Sequence, residues 1–147
     1  MGYQVEKLAA ENAMVGEGPV WDVESQSLYW IDIQGGKIWN YDPATGENKV
    51  LHDGYNVAGA TRNKQGGMAV GTWEGVQLWF SDDNYTWLHK GDVDGRPIKL
   101  NDVTVGPDGS LYGGSGHLDS CTLFRFKPDG TAEIIDDGLA LCNGMGF

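Results

Sequence analysis

Positive charge is scarce in this chain. Ten Lys and Arg stand against 21 Asp and Glu, a formal net charge of −11 over 147 residues. Nucleic acids and anionic membrane surfaces both recruit a positive face, so neither is an expected partner. Cysteine is nearly absent. Cys121 and Cys142 stand 21 residues apart with no Cys or His at zinc-ligand spacing, which reads as two reduced thiols in a cytoplasmic protein. No apolar run reaches the roughly 18–20 residues of a membrane span. The stretch from Met1 to Met14 carries Glu6, Lys7, Glu11 and Asn12 in place of an apolar signal core, so no secretory leader is expected. A helical stripe is missing as well: residues 6–14 form the single helix-like stretch, and their apolar positions are few.

Glycine and aromatics are plentiful. The 23 glycines are about twice the usual share and imply many tight turns. Six Trp and six Tyr lie between them, with β-branched residues, as strands require. Hydrophobic residues make up 40% of the chain, which excludes a disordered one. Three segments repeat. Leu28, Met68 and Leu111 are spaced by 40 and 43 residues, and Ile38, Leu78 and Leu123 by 40 and 45. Pro43-Ala44-Thr45-Gly46, Pro107-Asp108-Gly109 and Pro128-Asp129-Gly130 punctuate the repeats with turn chemistry. Between turns the pattern alternates with period two, as in Thr122 to Lys127.

A repeat of this length with several short strands predicts an all-β propeller of four-stranded blades. The blades are expected over about 15–52, 56–90 and 100–137, with a fourth repeat opening at 140–147. Propellers close with about four to eight blades, so three leave two open flanks. Two copies joined about a two-fold axis into a six-bladed homodimer would close the ring. A piece of a longer gene is the alternative.

Three stretches carry a family likeness. Gly16-Glu17-Gly18-Pro19-Val20-Trp21-Asp22 precedes Leu28-Tyr29-Trp30-Ile31-Asp32-Ile33. Lys99-Leu100-Asn101-Asp102 precedes Pro107-Asp108-Gly109-Ser110-Leu111-Tyr112-Gly113-Gly114-Ser115. Asn143-Gly144-Met145 comes last. In this order they resemble the gluconolactonase, regucalcin and luciferin-regenerating enzyme family, over the whole chain but only about the first half of a member. The resemblance implies a six-bladed propeller with a divalent metal in its channel, Ca²⁺ first and Mg²⁺, Mn²⁺ or Zn²⁺ as alternatives. It implies Glu17 and Asn143 as metal ligands, Asn101 and Lys99 as substrate contacts, and a small-molecule lactone as substrate. Members usually carry Arg where Lys99 stands, and Lys cannot make Arg's planar two-pronged contact. The family's remaining ligand, an Asp favoured as general base, matches no residue here.

The residues support this reading in their own terms. Innermost propeller strands share one channel, so Glu17, Asn101 and Asn143 should converge there. A carboxylate with amide oxygens suits a hard divalent ion. Such an ion would polarise a lactone carbonyl and stabilise the oxyanion formed by water attack. Asp102 should point away from Asn101 by period two and so make a poor substitute base, unless a twist or bulge in the strand changes its direction. His117 follows a glycine-rich run near the channel mouth, a candidate substrate contact. His52 and His89 are expected at surface or turn positions, and Trp30, Trp39, Trp73, Trp79 and Trp87 in packing between blades. Three functions remain open: a metal-dependent lactonase completed by a second chain or missing sequence, a catalytically silent half-propeller for binding or structure, and a calcium-binding protein without turnover.

Overall fold

The computed structural model describes residues 2–9, 11–116 and 120–147. Twelve strands form three four-stranded antiparallel meanders, each pairing in chain order. The first blade comprises β1 (Gly16–Asp22), β2 (Ser27–Asp32), β3 (Lys37–Asp42) and β4 (Glu47–Asp53). The second comprises β5 (Gly59–Arg62), β6 (Met68–Gly71), β7 (Gly75–Ser81) and β8 (Asn84–Lys90). The third comprises β9 (Leu100–Val105), β10 (Leu111–Ser115), β11 (Cys121–Phe126) and β12 (Ala132–Leu139). This is part of a β-propeller.

Short polar side chains close the turns. Asp42 accepts the Ala44 N–H at 2.8 Å and the Thr45 hydroxyl at 3.0 Å. Asp108 does the same for Ser110, and Asp129 for Thr131. Each Asx turn satisfies backbone groups that the flanking ladders leave over.

Alternation along the second blade builds two cores. Met68, Val70 and Trp79 face the first blade and pack with Ile31, Ile38, Val57 and Ala60. Ala69, Val76 and Leu78 face the third blade and pack with Leu100, Leu111, Phe124 and Phe126. The middle blade is therefore buried on both faces. The outer faces of its neighbours are not: Trp30 and Trp39 stack at 5.2 Å on one, and Tyr112 and Arg125 stand on the other.

Residues 6–14 form no helix among those described. Too few apolar positions bind them to the core, and Asp32 holds the approach to β1 extended instead. Its carboxylate accepts N–H groups from Met14, Val15 and Gly35 at 2.9–3.0 Å. His52 departs from its expected surface position as well. It is 2% exposed, with Nδ1 against Asp82 and Nε2 accepting the Tyr55 N–H at 3.2 Å. This latch joins β4 to the β7–β8 turn, a pairing no local pattern encodes. Trp79 is buried and donates to Asp82, whereas Trp73 is about half exposed.

Residues 140–147 carry no strand of their own. They lie along β9 and β10, with Cys142 buried over Gly114, where an added Cβ would stand only 1.9 Å from the Cys142 Cβ. Burial, and then neighbouring Cys121, pushes the Cys142 thiol up to about 11. Among the described residues no helix is long and apolar enough to cross a membrane.

Candidate functional site

The three blades touch chiefly through their first strands, with β5 between β1 and β9. A common cleft of about 220 Å³ is lined by Gly18–Val20, Gly59–Thr61 and Asp102–Thr104, one stretch from each inner strand, and by Met145. Residues more than 80 positions apart thus share one wall.

Both strands that carry site residues are irregular where those residues stand. In β1 the pairing passes from Glu17↔Ile31 to Val20↔Tyr29, so Gly18 and Pro19 together oppose one residue of β2. Gly18 adopts φ +59°, a left-handed value that a residue with a Cβ adopts only under strain. In β9 the pairing passes from Ser115↔Leu100 to Gly114↔Asp102, which leaves Asn101 unpaired in a bulge. Lys99, just before it, holds the left-handed φ of +31°. Bulges re-aim side chains and recur beside functional sites.

The bulge overturns the strict alternation expected of Asn101 and Asp102. Asp102 lines the inner cleft and lies close enough to Glu17 to act on it electrostatically. Its Oδ2 accepts N–H groups from Gly144 at 2.7 Å and Met145 at 3.4 Å, and its Oδ1 that of Val103 at 2.8 Å. Asn101 turns its Nδ2 to the Cys142 carbonyl at 3.4 Å. Asn143 is exposed, and its Oδ1 accepts the Gly144 N–H at 3.1 Å. Lys99 is exposed at a separate cleft of about 540 Å³, shared with Tyr55, Trp73, Trp87 and Lys90. His117 lies outside the described residues.

Glu17 is half-buried, and burial pushes its carboxyl above the ordinary 4.5; the Asp102 charge pushes it the same way. None of the ion pairs among the described residues engages either carboxylate. Asp102 lines the shared cleft, whereas Glu17 lines a second recess of about 340 Å³ with Pro19, Leu28 and Trp30, and neither Asn101 nor Asn143 lines either. Oxygen donors of this kind suit a hard cation such as Ca²⁺, but the set is spread over more than one recess. It falls short of a full ligand sphere, and the described residues contain no cluster of three His, Cys, Asp or Glu that could hold a metal. The sequence reading missed Asp102 as a member of this group; only the one-residue bulge brings it there.

A family model described as SMP-30/Gluconolactonase/LRE-like region matches residues 15–147. The chain belongs to this family. Among relatives of the SMP-30/gluconolactonase type, Pentonolactonase XacC of Haloferax volcanii is 30% identical over 97% of this chain and 49% of its own length. The regucalcin structure from Agrobacterium tumefaciens, titled a calcium-binding protein, superposes with a TM-score of 0.77 at 17% identity, over 90% of this chain and 46% of that one. A gluconolactonase from Xanthomonas campestris gives a TM-score of 0.72 at 21% identity, over 85% of this chain and 48% of that one. The two structures share the fold. The chain spans about half the length of the relatives it matches.

Proposed function

We propose that this SMP-30/gluconolactonase-family chain serves a metal-dependent lactone hydrolase, with Glu17 and Asn143 as metal ligands and Asn101 and Lys99 toward substrate. The observation that carries the reading is the pair Glu17 and Asp102, two part-buried acids close enough to act on each other and without a cation partner among the described residues. A bound divalent ion would supply Lewis acidity toward a lactone carbonyl and stabilise the charge developing on its oxygen. Glu17 and Asn143 would supply the oxygen ligands from this chain. Lys99, which stands at the other cleft, keeps its proposed place toward substrate on the family resemblance. His117 keeps its proposed place beside the substrate on sequence grounds. The remaining half of the ring would come from a second copy or from residues beyond this sequence. The uncovered Trp30–Trp39 face is one surface that such a partner would cover.

Calcium binding without turnover is the second reading, favoured by the state of Asp102. Both of its oxygens are already engaged by backbone N–H groups rather than turned to a water. Hydrolysis of an aldonolactone, abolished by EDTA and restored by Ca²⁺, tests the first reading. Glu17→Gln should lower that activity at least about 100-fold, the scale of losing a ligand-shell group. Undiminished turnover removes Glu17 from the site. Ca²⁺-dependent thermal stabilisation without turnover selects the second reading.

A further inference from the structure

We propose that Asp102 is the positioning residue of this site: its carboxylate seats the turn at 143–145 and so sets where the Asn143 side chain stands. The inference rests on reading the inner wall as a metal site. The pair of consecutive N–H groups held on one carboxylate oxygen carries it. The Gly144 N–H has two acceptors within reach, Asp102 Oδ2 at 2.7 Å and Asn143 Oδ1 at 3.1 Å. The Asp102 oxygen is the nearer of the two, and the Asn143 oxygen accepts the same N–H at the longer distance. The Met145 N–H reaches the same Oδ2.

Residues 140–147 have no strand ladder, so side chains secure them to the body. Asn101 reaches the Cys142 carbonyl, Cys121 Sγ reaches the Ala140 carbonyl at 3.6 Å, and Asp102 takes the two consecutive N–H groups. Asp102 is itself fixed by its bond to the Val103 N–H at the edge of the Asn101 bulge. Without the carboxylate, the Gly144 N–H has Asn143 Oδ1 as its remaining acceptor. The turn that carries Asn143 then loses two of its ties to the body. Asp102 thus acts on an ion through Asn143, as outer groups that orient metal ligands do.

Amide hydrogen exchange and Ca²⁺ calorimetry on the full chain test this, with the β6 amides as the fold control. In metal-free protein, Asp102→Ala should speed exchange of the Gly144 and Met145 amides at least about tenfold and leave β6 protected. It should weaken Ca²⁺ binding about 10–100-fold. Asp102→Asn keeps an oxygen acceptor and should recover most of both. If alanine also opens β6, the same comparison is made with Asp102→Leu, which fills the space without an acceptor. Unchanged exchange at 144 and 145 overturns the proposal. So does Asp102→Asn with protected amides and Ca²⁺ affinity as poor as alanine's, since charge rather than seating would then matter. If the unaltered chain takes up no Ca²⁺, the metal reading fails, while the exchange comparison still decides whether Asp102 seats the turn.

Discussion

Glu17 has an ionisation that opposes folding. Its carboxyl is pushed up by burial and then by Asp102, so the folded state holds its proton to higher pH than the unfolded chain. The stabilising contribution of the protonated form is complete below the ordinary 4.5 and is lost as pH rises through the raised value. Metal-free Glu17→Gln should therefore be more stable than the unaltered chain near pH 7. That advantage should shrink to nothing below about pH 4.5. Urea denaturation across that range measures it, and a constant difference at every pH would contradict the coupling. At this scale the sequence was partly legible. Glu17 was marked by the resemblance of its stretch to the family's opening, and the left-handed Gly18 beside it is where β1 bulges. Asp102 was hidden, because alternation holds only while a strand stays in register, and one unpaired Asn101 reverses it. His52 was hidden too, since its partner Asp82 lies 30 residues away.

Strands and turns followed the sequence more closely, because alternation and Asx chemistry are local. The segment before β1 did not, and one element explains why. The Asp32 carboxylate at the end of β2 fastens Met14 and Val15 from outside any ladder. Burial alone would raise Asp32, but N–H donors from Val15, Met14 and Gly35, with the Lys37 charge, hold it below the ordinary 3.8. Its contribution is thus present above 3.8 and lost as pH falls through the lowered folded value. Asp32→Ala should cost about 1–3 kcal/mol by stripping buried N–H groups of their acceptor. It should also open residues 2–15 to limited proteolysis at neutral pH. Equal cleavage in both proteins would rule out the clamp.

Across the whole molecule, the repeat of 40 to 45 residues was the most informative signal. It reports one blade per repeat. Blade-to-blade contacts are less visible, because they join residues in different repeats. The cores predict an uneven stability. The middle blade is covered on both faces, so the β6 amides should exchange most slowly, and β4 and β12 should open first. Phe124 is fully buried between the second and third blades, and Phe124→Ala should cost about 3–5 kcal/mol in urea unfolding. A loss under about 1 kcal/mol would mean that this contact is not a core.

The middle inner strand has a quieter consequence. Of the three strands lining the cleft, β5 offers Gly59, Ala60 and Thr61 and no carboxylate. It behaves as a shim: the thickness of its small side chains sets how far β1 stands from β9. The spacing of β1 from β9 is thus gauged by residues that carry no carboxylate, and a few methylene groups added at Ala60 would re-space the opening without altering any donor.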